Sequence, residues 1–364
     1  MNHAVIAILV FVLTTATSVI FVTKTSDVFS RLGMMDQPGP RRVHKTPIPR
    51  GLGVAIFLAF LVGIAITYIL PVERQTRETE RILLFVIGSA IVVGVMLVDD
   101  AVSLGPRTKL VWQIIAAAVI VLPRFRGEGR GIVIEQFNSP FGGTVTLPEI
   151  VAVIVTFVWI ISFMNVMNWV DGLDGLAGSV TLVSCVILFI HTYFGPDNLP
   201  QFTISMLPLA LGAAIVGFLP SNWHPAKVIM GDAGAMFLGF ALAIIAIIGG
   251  AKIATALLAL GLPIMDAAWV IIYRIMHGRS PLYADKGHLH HRLLEAGFGQ
   301  RTIVLFVAGT SAVFGAASLL IQNRELKLAI FALVAVVLLV TIAGLAQRSR
   351  GMEKRAKDAT SITR

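Results

Sequence analysis

Residues 150–176 read IVAVIVTFVWIISFMNVMNWVDGLDGL. From Ile150 to Met164 the run is almost wholly apolar and reads as a membrane span, whereas Asn165, Asn168, Asp171 and Asp174 then place an amide or carboxylate at every third position. Carboxylates at the edge of hydrocarbon are costly and are usually retained for a substrate, ion or metal. Working outward, two more acidic sites share this setting. Asp99-Asp100 closes the apolar run from Ile82 to Val98, and Asp232 stands in Gly231-Asp232-Ala233-Gly234 after Met230. Several carboxylates beside one lipid-embedded core suggest a metal and phosphate site.

The composition agrees. With 364 residues, 56% of them hydrophobic and 13% charged, and a mean hydropathy of +0.85, the chain is an all-α integral membrane protein rather than a soluble enzyme. Runs long enough to cross roughly 30 Å of hydrocarbon fall near 3–23, 52–70, 82–98, 110–123, 149–167, 175–194, 203–219, 233–250, 253–273, 302–321 and 327–346, about eleven transmembrane helices. The run at 110–123 is short enough to be tilted or partly interfacial, and the first lacks a small-residue cleavage site and reads as a retained helix. Residues 1–346 thus form one polytopic membrane domain and 347–364 a basic tail.

The net charge of +9 is a topology signal and not a nucleic-acid signal. When successive loops are assigned to opposite sides, the side with loops 24–51, 99–109, 220–232, 274–301 and the tail holds twenty Lys and Arg, and the other nine. The positive-inside rule makes the first side cytoplasmic, with the N-terminus outside and the C-terminus inside. Every polar cluster then lies at the cytoplasmic boundary. The longest outer loop, 124–148, reads as a small β-hairpin, with Ile132-Val133-Ile134 and Thr144-Val145-Thr146-Leu147 flanking Asn138 to Gly143. The single cysteine, Cys185, excludes a disulfide framework and reads as a core hydrophobe.

Each cluster has a plain alternative. Asp99-Asp100 could end a helix, although acids at a helix C-terminus oppose the macrodipole, and Arg107 and Lys109 stand ready to pair with them. On a regular helix the row from Asn165 to Asp174 drifts by about 60° per step. Gly172 and Gly175 allow a bend, so the carboxylates are expected to flank a helix break, the alternative being a polar seam between helices. Two Asp three apart suit Mg²⁺, which takes one or two carboxylates plus phosphate oxygens and water. Asp232 could instead cap the following helix. His288, His290 and His291 with Arg292 lack the spacing of a zinc site and suit a pyrophosphate or sugar better.

Taken in order, Pro47-Ile48-Pro49-Arg50-Gly51, Asp99-Asp100, Asn165 to Leu176, Asn222 with Pro225-Ala226-Lys227, Gly231-Asp232-Ala233-Gly234 and His288-Leu289-His290-His291-Arg292 resemble the polyprenyl-phosphate N-acetylhexosamine-1-phosphate transferase superfamily. The likeness runs from Asp36 to about Phe298. It is nearest the bacterial undecaprenyl-phosphate N-acetylglucosaminyl-1-phosphate transferases (glycosyltransferase family 4) that initiate teichoic acid, O-antigen or related envelope glycans. A small departure is Arg50-Gly51-Leu52-Gly53, where that family often shows paired glycines.

The resemblance implies UDP-N-acetylglucosamine as donor, undecaprenyl phosphate as acceptor, UMP as product, and Mg²⁺ as cofactor, with Mn²⁺ as substitute. It implies a site on the cytoplasmic face of the bacterial inner membrane, no nucleic-acid partner, and a homodimer as candidate assembly. Carried over residue by residue, Asp174 and Asp232 would hold the metal. Asp99 would handle the acceptor proton with Asp100 in support, Asp171 would orient nucleotide and metal waters, and Asn165, Asn168, Asn222, Lys109, Lys45, His288, His290, His291 and Arg292 would bind substrate. A sister transferase for another UDP-N-acetyl sugar, such as phospho-N-acetylmuramoyl-pentapeptide, is the nearest alternative. An ion-coupled transporter, which the one-sided clustering disfavours, is the more distant one.

Overall fold

The computed structural model describes residues 2–37, 46–127, 129–139, 142–195, 201–250, 253–278 and 287–321, with isolated positions from 323 to 336. The expected span at 327–346 falls almost entirely outside the described residues, and the tail and Lys45 wholly so. Twelve α-helices are described: α1 (His3–Leu32), α2 (Gly53–Ile69), α3 (Glu78–Val102), α4 (Pro106–Val121), α5 (Glu149–Val170), α6 (Leu176–Phe194), α7 (Phe202–Asn222), α8 (Gly231–Ile248), α9 (Ile253–Ala259), α10 (Gly261–Met276), α11 (Leu289–Glu295) and α12 (Gln300–Leu320). Eight helical stretches among the described residues are long and apolar enough to cross a membrane, and α2 is an apolar helix of 17 residues. The chain is a multi-pass membrane protein.

Two expectations are refined. The short run at 110–123 gains length because α4 begins at Pro106, where a proline costs no hydrogen bond, and continues through a 3-10 turn at Leu122–Arg126. The run at 253–273 is not one helix: α9 ends at Ala259 and α10 begins at Gly261. Pro263 falls in the first turn of α10, where its missing N–H is tolerated. The outer hairpin is present, but its strands are β3 (Gln136–Asn138) and β4 (Thr144–Thr146), with Phe137 opposite Val145.

The core is organised around α8, buried along nearly its whole length against α2, α3 and α5. Close approach is possible because α2 and α8 meet backbone to backbone at Gly53 and Gly234, where a Cβ on either would collide with the other helix. Since successive spans alternate in direction, the end of α3, the starts of α4 and α6, the ends of α5 and α7 and the start of α8 share one face. Before α2 the chain folds back: β1 (Met35–Asp36) pairs with β2 (Ile48–Pro49), and Arg50 bridges to Ile229 just before α8. That pairing delivers the Arg50 guanidinium to the ends of α3 and α8.

Candidate active site

Asp99 and Asp100 end α3 but do not simply stop it. Asp100 accepts the backbone N–H groups of Asp232 (3.0 Å) and Ala233 (3.1 Å), so it caps α8 from another helix. Its charge sits at the favourable N-terminal end of the α8 dipole. Gly231, at φ 75°, is required here, since a Cβ would strike the Asp100 carboxylate. Asp232 therefore does not cap its own helix. Asp99 accepts the Leu104 N–H at 2.7 Å and pairs with Lys109 Nζ at 2.6 Å, while Arg107 stays at the surface.

Two cations bind this cluster together. Lys109 Nζ also reaches Asp232 Oδ2 at 2.7 Å. Arg50 lies 2.9 Å from Asp100, 3.4 Å from Asp232 and 3.5 Å from Asp36. Burial opposes the Arg50 charge, but Asp100, Asp232 and Asp171 outweigh it and raise its pKa.

The helix break expected around Gly172 spans residues 171–175, between α5 and α6. Asp171 ends α5, and its side chain has no hydrogen bond or ion pair among the described residues. Although its edge reaches the surface, protein encloses it. Desolvation first, then the negative charges of Asp232 and Asp100, push its carboxyl well above the ordinary carboxylate range. Asp174 is engaged on one oxygen only: Oδ2 meets His224 Nδ1 at 2.7 Å and the Ala226 N–H at 3.2 Å.

The amides divide. Asn222 is buried, accepts the Gly175 N–H at 3.1 Å and donates to the Val228 carbonyl at 2.9 Å, so it clamps the break to the loop before α8. Asn165 donates to Gln113 Oε1 on α4 at 2.9 Å and to the Ile161 carbonyl at 2.8 Å. Asn168, half-buried, has no side-chain partner among the described residues and stands free for a ligand.

The histidine loop forms α11 and presses on the break. A Cβ at Gly172 would collide with His290 Nε2. That nitrogen is buried without a hydrogen-bond partner among the described residues, as is Nη1 of Arg292. Burial first, then His291 and His288, push His290 down to about 3, so its ring is neutral at physiological pH. The His291 ring lies 4.3 Å from that of His290, tilted by 45°, and His288 lies near-parallel to His290 at 5.8 Å.

Among the described residues no three His, Cys, Asp or Glu side chains form a ready metal cage. The donor set nonetheless suits a hard cation that takes few protein ligands: Asp171 and the second oxygen of Asp174 lack partners among the described residues, and Asp232 lies beside them. Carboxylates outnumber cations in this cluster: Asp36, Asp99, Asp100, Asp171 and Asp232 stand against Arg50 and Lys109.

Sequence reasoning missed three residues. Arg50 was visible as an arginine inside a rigid Pro-rich turn, and His224 as a neighbour of the Asn222 motif. Asp266 was visible as a lone acid in the apolar run 253–273.

Fold and site together define a multi-pass membrane protein with a carboxylate-rich site at one end of its spans. Glycosyl transferase family 4 matches over residues 82–250, from α3 to the end of α8. A decaprenyl-phosphate N-acetylglucosaminephosphotransferase of Mycobacterium tuberculosis (strain H37Rv) is 31% identical over 322 residues, 81% of this chain and 78% of that protein. A probable undecaprenyl-phosphate N-acetylglucosaminyl 1-phosphate transferase of Bacillus subtilis (strain 168) is 28% identical over 341 residues, 92% of this chain and 90% of its own. An undecaprenyl-phosphate alpha-N-acetylglucosaminyl 1-phosphate transferase of Salmonella typhi is 26% identical over 310 residues, 81% and 78%. The chain belongs to glycosyl transferase family 4, within the polyprenyl-phosphate N-acetylhexosamine-1-phosphate transferase superfamily.

Proposed function

We propose that the protein transfers N-acetylglucosamine-1-phosphate from UDP-N-acetylglucosamine to undecaprenyl phosphate at the cytoplasmic face of the bacterial inner membrane, releasing UMP. The observation that carries this reading is the juxtaposition, at one end of the spans, of partnerless Asp171 with the unpaired buried nitrogens of His290 and Arg292. Surplus carboxylates call for a cation, and the unpaired guanidinium nitrogen calls for an acceptor. The names of the relatives supply the same reaction class.

The chemistry needs alignment and charge neutralisation more than covalent help. An oxygen of the lipid phosphate attacks the sugar-bearing phosphorus; the bond from that phosphorus to the UMP oxygen breaks, and UMP leaves with the electron pair. Lys109 and Arg50 hold the acidic cluster in register, and the Arg292 guanidinium, with a free Nη1, grips a phosphate oxygen of the donor. Asn168 offers its amide to the nucleotide. A neutral His290 can donate or accept a hydrogen bond without adding charge. Asp171, Asp174 and Asp232 are the residues that would hold Mg²⁺, or Mn²⁺ in its place. The metal supplies neutralisation of the pyrophosphate charge. A phosphate monoester with a second pKa near ~6 is mostly ionised at pH 7, so no base is demanded, and Asp99, bound to Lys109 and the Leu104 N–H, serves to fix Lys109.

The test uses purified full-length protein in detergent with undecaprenyl phosphate, UDP-N-acetylglucosamine and Mg²⁺, following UMP release with and without EDTA. Lipid-dependent release abolished by EDTA is expected. Release with another UDP-N-acetyl sugar alone would change the donor, and silence with every donor from folded protein would sink the reading.

A further inference from the structure

Asp266 is a carboxylate on α10, in the otherwise apolar stretch that α9 and α10 share, and it is nearly inaccessible to solvent. Both its oxygens are spent on the start of α11. Oδ1 accepts the backbone N–H of Leu289 at 2.8 Å, and Oδ2 meets His288 Nδ1 at 2.9 Å. His288 is itself the residue that precedes α11, and its side chain makes no cap of its own, so Asp266 supplies the cap from a neighbouring helix. An ionised carboxylate only accepts hydrogen bonds, which puts the His288 proton on Nδ1 and leaves the lone pair on Nε2. The ring is further held by Trp169 at 5.6 Å, one position after Asn168, and by His290 at 5.8 Å. No described protein group bonds His288 Nε2.

We propose that Asp266 is a positioning residue for the transfer reaction: by accepting from both His288 Nδ1 and the Leu289 N–H it fixes the tautomer of His288, aims its Nε2 at substrate, and docks α11 against the break at Gly172. The inference rests on the proposed reaction for its kinetic consequence but not for its structural one. Two buried groups bound to one carboxylate act as a unit, and the partners that fix a histidine's tautomer govern which nitrogen meets the ligand. The two roles differ: His288 would meet substrate through Nε2, and Asp266 acts through it.

Asp266→Asn is the informative variant because it keeps size while exchanging one acceptor for a donor. The asparagine oxygen can still accept from Leu289, but its amide must donate to His288 Nδ1, which moves the ring proton to Nε2. In full-length protein labelled with ¹⁵N-histidine in lipid, the His288 resonance is assigned by its loss in His288→Gln. Wild type is expected to carry the proton on Nδ1, and Asp266→Asn on Nε2. Turnover should fall about 10- to 100-fold, the scale of lost outer-shell partners, with the KM for UDP-sugar changed less than about 3-fold. In a His288→Gln background the same substitution should cost less than about 2-fold. A wild-type His288 protonated on Nε2 overturns the proposal without any variant. So does an Asp266→Asn penalty that persists in the His288→Gln background, which would mean a merely structural role. If wild type releases no UMP, the proposed reaction fails, while the tautomer still decides the Asp266–His288 contact.

Discussion

Gly172 lacks a side chain because the His290 ring occupies the space where one would go. A methyl there must push α11 from the break between α5 and α6, and displacing a binding group by about 1 Å can cost on the order of 100-fold in rate. Gly172→Ala is therefore expected to lose turnover on that scale with little change in expression. Gly94→Ala on α3, where an added Cβ meets nothing within 4 Å, should leave UMP release unchanged. Lys109 offers a second case. It is the common partner of Asp99, whose side chain is 3% exposed, and of Asp232. Lys109→Gln leaves both acids without their shared cation, a loss worth about 3 kcal/mol or more for buried charge pairs. The purified variant should melt at a clearly lower temperature than wild type, and Lys109→Arg should recover part of the difference.

Among the elements, α11 is a short helix whose position depends on its neighbours, and His290 makes that dependence sensitive to pH. The folded ring protonates only near pH 3, against an ordinary value of 6.5. Between those values the unfolded chain binds the extra proton and the folded chain does not, so folding stability rises with pH through this window and is lost as pH falls below about 6.5. Acidification from pH 7.5 to 5 should lower the melting midpoint of wild type more than that of His290→Asn, which has no proton to gain; equal slopes would refute the assignment. The break that α11 leans on was legible in the sequence, because Gly172 and Gly175 interleave with two acids after a complete apolar run, and on a regular helix the row from Asn165 to Asp174 would have drifted to the opposite face. The α9–α10 break was not legible: the run from 253 to 273 is apolar but for Thr255 and Asp266, and proline is tolerated in membrane helices when neighbours satisfy the freed backbone groups. Nor was the capping of α8 by Asp100, or the reach of Arg50 to both acids. The contacts of Asp100 and Arg50 with Asp232 join positions 132 and 182 apart, and local spacing carries no record of them.

At the scale of the whole molecule, the site has meaning only if its face of the bundle looks into the compartment that holds nucleotide sugars. The alternation of spans puts the starts of α4 and α8 on one face, with the β3–β4 hairpin on the other. The charge count, twenty Lys and Arg against nine, predicts that the first face is cytoplasmic. The chain offers a clean way to check this, because its single cysteine, Cys185, is buried within α6. Cys185→Ala supplies a silent background, and single cysteines can be introduced at exposed positions on either face. Thr144→Cys on the hairpin and Arg107→Cys beside Lys109 are suitable, both being solvent-facing in the native chain. In intact cells a membrane-impermeant maleimide should label the Thr144→Cys protein and spare the Arg107→Cys protein. Permeabilising the inner membrane should make the second accessible. The reverse pattern would place the carboxylates, Arg292 and the histidine loop outside, away from any cytosolic UDP-sugar. The proposed donor would then be untenable, however well the residues fit its phosphates.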